Sequence, residues 1–308
     1  MNAPLSPPRD GPGLLLALLA VVIWAAWLPA TRLALADGLG PLDIALLRYA
    51  VPALLLAPVW WRVGLLPRGV PLPVLLAMLC WGAPFVMLVS AGMARASVAH
   101  TAALVPCTMP VLAALGSRVF YGERIPAAHR IGIGLIGLAA LCVLVSVFTG
   151  QGTTDLPTIG LLLLASAGWA AYSVAYRRSG LTAMQGAGIV FAWSTLLMLP
   201  VALAGGTGLA AVPVSALAFH LTVQGVLTGL VATVAYGLAI DRLGVPRAAS
   251  FSVLVPVLAT VLAVFWLGET PSVLDGVALV IGTLGVAVVN GVLRRAPSGA
   301  TAGRPPIS

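Results

Sequence analysis

Lysine is absent from this 308-residue chain: all sixteen basic side chains are arginine, a compositional bias rather than a mechanism. Acids are scarcer still, at eight, so charged residues make up 8% of the chain, where a soluble domain carries about 25%. So few charges cannot cover a folded soluble surface. Hydrophobic residues make up 60% and the mean hydropathy is +1.09, values of an all-α polytopic membrane protein. The net charge of +8 could suggest nucleic acid as a partner. It does not, because the arginines stand singly or in pairs between apolar runs, with no basic patch interleaved with exposed aromatics. Loops facing an anionic lipid leaflet look like this, and the bilayer is the expected partner. Cys80, Cys107 and Cys142 lie inside apolar runs without a CxxC pair and read as small apolar fillers. The histidines, His100, His129 and His220, are scattered, and neither HExxH nor GxSxG occurs. Nothing here supplies a metal site, a cofactor site or the nucleophile–base pair of an intramembrane enzyme.

What is present is long apolar runs, and a membrane helix needs about 20 such residues. Ten are expected, at roughly 13–34, 42–61, 71–92, 97–120, 127–149, 157–177, 183–204, 215–240, 246–267 and 272–293. The tails, 1–12 and 294–308, are rich in Pro, Gly, Ala and Ser and are expected to be disordered. With the N-terminus placed in the cytoplasm, thirteen arginines fall on the cytoplasmic side. Only Arg32 and Arg95 fall opposite, and Arg48 lies inside the second run. That bias predicts that both termini face the cytoplasm.

The run PVLATVLAVFWLGE at 256–269 repeats PVLAALGSRVFYGE at 110–123, with six of fourteen positions identical at an offset of 146. WAAWLPATR at 24–32 returns as WAAYSVAYR at 169–177, with five of nine matching at an offset of 145. The first of these segments also bears on a rival reading of residues 9–36 as a signal peptide. Their apolar run is long for an h-region, and removing them would leave the sixth run without a counterpart. Each half therefore holds five crossings, 13–149 and 157–293 joined by a linker at 150–156. Five being odd, the second half enters the membrane upside down. Such an inverted repeat is a hallmark of secondary transporters, because two similar, opposed halves can exchange roles between inward-open and outward-open states.

With its paired Pro-x11-Gly-Glu segments, an arginine in the second span and two five-span halves, the chain resembles a ten-helix member of the drug/metabolite transporter superfamily with two EamA-type domains. Members of that family mostly move amino acids, other small metabolites or drugs out of bacterial cells. The resemblance implies export of a small-molecule solute. Flipping of a lipid or lipid-linked precursor, or efflux of multiple drugs or quaternary amines, is the alternative.

Gly122-Glu123 and Gly268-Glu269, with Pro126 and Pro271 just beyond, have the chemistry of a rigid turn between helices. Pro110 and Pro256 lie inside apolar runs, where each removes a backbone hydrogen bond. They mark either a packing kink or a span facing a cavity. Arg48 is the only charge deep in a span. It is off the same-face spacing from Asp43, so it needs carbonyls, a neighbouring helix or a substrate carboxylate. Glycines 132, 134, 137, 276, 282 and 285 permit close helix approach, and a homodimer contact is left open.

Candidate substrate contacts follow from aromatic spacing. Trp24 and Trp27 share one face of the first span, and Trp169 and Tyr172 repeat that spacing in the sixth. Either they belong to interfacial belts or they wall a cavity for apolar, aromatic or cationic solutes. Trp81, Ser90, His100, Thr101, Tyr236 and Ser250 are further candidates, Ser90 aligning with Tyr236 at an offset of 146. All eight acids lie in tails, in loops or near span ends, which leads to an expectation of uniport, exchange or weakly coupled export rather than a proton pump.

Overall fold

The structure, a computed structural model, describes residues 11–125, 127–149, 154–243, 248 and 251–289. Most of both tails, residues 150–153 of the linker, and Ser250 lie outside the described residues. Everything described is helix, turn or coil, in ten apolar segments. Seven are long and apolar enough to cross a membrane unaided. These are α1 (Gly11–Ala36), α3 (Leu72–Met93), α4 (Val98–Tyr121), α5 (Ala127–Phe148), α6 (Leu156–Ser179), α7 (Ala183–Gly205) and α8, which begins at Val214. An eighth, α2, is made of Pro41–Leu55 and Ala57–Val63, which meet at a 74° bend. The shorter α9 (Phe251–Leu267) and α10 (Val273–Val289) complete the set, each abutting residues outside the described range.

The packing has the symmetry that the repeat demands. Span α1 lies against α8 and α9, and α6 lies against α3 and α4, the same relation with the halves exchanged. Spans α2 and α7 pack on each other, as do α5 and α10. The last pair is very close: a Cβ on Gly132 would stand 2.7 Å from the Gly285 carbonyl, and one on Gly285 would stand 2.9 Å from that of Gly132. Removing both side chains lets the two helix backbones touch, the lipid-phase substitute for hydrophobic drive.

Besides α2, four spans are interrupted. Span α3 breaks between Leu79 and Ala83. Span α4 breaks between Leu104 and Met109, so Pro110 stands in the first turn of a new helical piece rather than inside a continuous one. Pro256 likewise follows the short 3-10 turn Phe251–Val253, in the first turn of Leu254–Leu267. A proline there gives up an N–H that had no helical partner anyway. The missing hydrogen bond expected from these two prolines is therefore absorbed by the break. Span α8 carries a π-helical stretch, Leu221–Val231, where Thr228 Oγ1 donates to the Val223 carbonyl five residues back at 2.6 Å.

Two faces can be told apart by the ties between loops. One gathers the end of α1, the starts of α2, α4, α6, α8 and α10, and the α9–α10 turn. The other gathers the end of α4, the α4–α5 turn and the end of α6. Gly122 (φ +67°) and Gly268 (φ +65°) close α4 and α9 in the left-handed conformation, one at each face, where a Cβ would be strained.

Candidate functional site

Near the middle of the bundle, six spans bring their aromatic residues together, three from each half. Trp27 of α1 is buried and stacks on Phe85 of α3, ring centres 5.9 Å apart. Phe85 in turn meets Trp169 of α6 edge-on at 5.8 Å. Trp81 stacks on Tyr172 at 4.6 Å and leans on Phe191 of α7 at 6.2 Å. Trp24 packs on Tyr236 of α8 at 4.9 Å. The aromatic belt is thus a seam between the halves. All but Tyr236 pack on the main hydrophobic core, and Tyr236 packs on two smaller clusters between α1 and α8.

Arg48 enters this belt from α2. It is 4% exposed, and its guanidinium carbon lies 4.3 Å from the centre of the Trp27 ring. The next residue, Tyr49, is fully buried and its hydroxyl lies 2.9 Å from the carbonyls of both Trp81 and Gly82, at the break in α3. The same break is held from α7, where Ser194 Oγ accepts from the Ala83 N–H at 3.0 Å. On the far side of Trp27, its indole N–H donates to Gln224 Oε1 at 2.7 Å, and Gln224 Nε2 donates to Thr31 Oγ1 at 3.3 Å. Gln224 sits on the π-helical stretch, a distortion that recurs at functional sites.

A second set of polar groups lies at one face. His100, buried at the start of α4, has Nδ1 2.6 Å from Thr154 Oγ1 and Nε2 2.6 Å from Asp275 Oδ1 on α10. His220, buried at the start of α8, has Nε2 2.7 Å from Asp37 Oδ2 at the end of α1. Glu269 accepts from the Val98 N–H at 3.0 Å. Burial pushes its carboxyl above the usual range, against the opposing pull of that hydrogen bond and of the Arg32 charge. Arg32 donates to the carbonyls of Met93 and Ala96. Asp43 accepts from the N–H groups of Gly40 and Gly208, at 2.9 and 3.1 Å. At the opposite face Arg177 donates to Ser117 Oγ at 2.6 Å, and Glu123 lies 3.5 Å from Arg177 and 3.4 Å from Arg178. Most of these ties join the first half to the second.

Of the residues singled out from the sequence, Trp24, Trp27, Trp81, Trp169, Tyr172, Tyr236 and Arg48 come together in the belt. His100 and Thr101 do not: both ring nitrogens of His100 are engaged at the face, and Thr101 Oγ1 donates to the Ser97 carbonyl one turn back. Ser90 Oγ is buried with no hydrogen-bond partner among the described residues. Pro110, Pro256, Gly122, Glu123, Gly268 and Glu269 lie at breaks and turns, as described. Sequence reading missed Phe85, Phe191, Tyr49 and Gln224, and both His–Asp pairs. Gln224 carried a usable signal, an amide well inside an apolar run; the others read as ordinary span residues.

Comparison with known proteins agrees with this architecture. The EamA-like transporter family matches twice, over residues 11–145 and 156–291. A probable terminal-alkyne amino-acid exporter of Streptantibioticus cattleyicolor is 32% identical over 285 residues, which take in 90% of this chain and 92% of that protein. A crystal structure described only as that of a protein is similar with a TM-score of 0.59 and 20% identity, covering 93% of this chain and 98% of the other, and speaks to the fold alone. Two matches placed one per half, on five helices each, make this chain a multi-pass membrane protein of the EamA-like transporter family.

Proposed function

We propose that this protein exports small organic solutes, with amino acids bearing apolar side chains first among them, by alternating access across a bacterial cytoplasmic membrane, both termini facing the cytoplasm. The observation that carries the reading is the aromatic belt, built by both halves around one buried arginine and standing between two sets of inter-half ties. Rocking the halves about the belt would break the ties at one face while keeping those at the other. Exposed ion pairs contribute about 0–1 kcal/mol each, so the Glu123 side can open at small cost. The similarity to a probable amino-acid exporter supports the solute class. The belt supports it too, since aromatic walls suit an apolar side chain.

Efflux of quaternary amines fits less well, because the belt already holds a cation and no carboxylate of the described residues pairs with it. The test is counterflow: purified protein in liposomes loaded with unlabelled leucine should accumulate labelled leucine above protein-free vesicles. Trp27→Ala and Trp169→Ala should slow it about tenfold, the effect of losing roughly 1.4 kcal/mol. Failure across a panel of apolar amino acids, with headgroup-labelled lipid flipped instead, would replace export by flipping.

A further inference from the structure

A guanidinium taken out of water without a counter-charge is strongly disfavoured, and in the membrane interior such groups are normally paired. Arg48 is the one buried arginine among the described residues, and its Nη1 has no hydrogen-bond partner there. The hydroxyl that meets the guanidinium is that of Tyr49, which itself donates to the Trp81 and Gly82 carbonyls and does not serve Nη1. Asp43, on its own helix, accepts from two backbone N–H groups. From α1, Trp27 offers only its ring face, since its N–H goes to Gln224. From α8, the Gln224 oxygen accepts from Trp27 and its nitrogen donates to Thr31. Phe191 of α7 packs on Tyr49 and on Trp81 of α3. No carboxylate of the described residues lies within 4 Å of the guanidinium.

The arginine is also held in place. Span α2 is pressed onto α8 through two glycines: a Cβ on Gly225 would stand 2.6 Å from the Leu47 carbonyl, and one on Gly229 would stand 2.8 Å from the Arg48 carbonyl. Pro52, one turn on, removes the N–H that would otherwise bond that carbonyl. With the backbone fixed and the ring of Trp27 beneath it, the guanidinium keeps one donor, Nη1, without a partner among the described residues.

We infer that Arg48 is the receptor for a carboxylate on the transported solute, and that the site recognises an amino acid by its carboxylate rather than by its amine. This rests on the export reading above. Arginine donates in a planar fork that matches a carboxylate, and such charge-assisted bonds are shorter and stronger than neutral ones. Around it the walls are aromatic and without acids, so they accommodate an apolar side chain and give an ammonium group no anion to meet. A solute offering Arg48 only an amine would be repelled; acylating or removing the amine of a solute that keeps its carboxylate would change little.

The experiment uses one side-chain scaffold in five forms on the purified full-length protein, with binding read by tryptophan fluorescence. Leucine, N-acetylleucine and 4-methylpentanoate should bind with affinities within a few-fold of one another, whereas leucinamide and 3-methylbutylamine should bind about tenfold more weakly or worse. Arg48→Gln should abolish the difference, and Arg48→Lys should keep it at reduced size, because a point charge lacks the fork. If Arg48→Gln does not fold, the ligand series on the unmodified protein decides alone. Leucinamide binding as tightly as leucine, or no carboxylate binding at all, overturns the inference and would leave Arg48 a purely structural cation. Carboxylates that bind with the expected preference but are never translocated would instead overturn export and leave the receptor standing. Transport of leucine and leucinamide alike would do the reverse.

Discussion

The two Gly-Glu corners end the same repeated phrase at opposite faces of the bundle, and they differ in what their glutamates meet. Their backbones are alike: Gly122 and Gly268 share a left-handed φ, and the Glu123 and Glu269 N–H groups reach back six residues to carbonyls at 3.3 and 3.4 Å. Their surroundings are not. Glu123 is 41% exposed, beside two arginines at long ion-pair distance. Glu269 accepts the first free N–H of α4 and stands beside the His100–Asp275 pair, which has no described equivalent at the Glu123 corner. The difference teaches that duplication copies the turn through local sequence, whereas the partner is decided by packing of the two halves. In this conformation the Glu269 face is the more firmly closed.

That contrast can be attacked in order of expected effect. Asp275→Ala leaves the buried His100 Nε2 without its partner and should cost about 2–3 kcal/mol, read as a drop of several degrees in the melting temperature of the purified protein. A shift within one degree would mean that the pair contributes nothing to closure. Next, Glu269→Ala should cost about 1.5 kcal/mol, since the Val98 N–H loses a charged acceptor, while Glu123→Ala should stay below about 1 kcal/mol. Equal losses at the two corners would break the comparison.

Gly122→Ala and Gly268→Ala, by contrast, should cost the same, about 1 kcal/mol each, because the strain lies in the shared backbone angle. A large inequality would show that the two turns are not equivalent after all. The smallest effect is on pH dependence. With its pKa raised, Glu269 binds its proton more tightly folded than unfolded. Its contribution to stability is therefore present at low pH and declines as pH rises from the ordinary glutamate value through the raised one. Thermal melts across that window should slope downward with pH, and Glu269→Gln should flatten the slope.

Much of this protein was legible in one dimension. Ten apolar runs became ten helical segments, with boundaries mostly within two or three residues, because a helix in lipid must satisfy its own backbone over a length set by the bilayer. The inversion followed from counting crossings per repeat. The glycine turns followed from residue type, since only glycine takes a positive φ freely. Arg48 stood out because a charge inside an apolar run is expensive wherever it is found. The aromatic candidates were half-legible: the i, i+3 spacing placed Trp24 with Trp27 and Trp169 with Tyr172 on shared faces, but nothing local said that Phe85 would sit between Trp27 and Trp169.

Tertiary structure alone decided the partners. Trp27 and Gln224 are 197 residues apart, His220 and Asp37 are 183 apart, and His100 and Asp275 are 175 apart. Each acid looked like a loop residue near a span end, and each histidine looked isolated. Hydropathy and periodicity record what a segment must do with its own backbone and its solvent. They carry no register between helices, which is set when the halves pack and close-fitting glycines choose one contact over another.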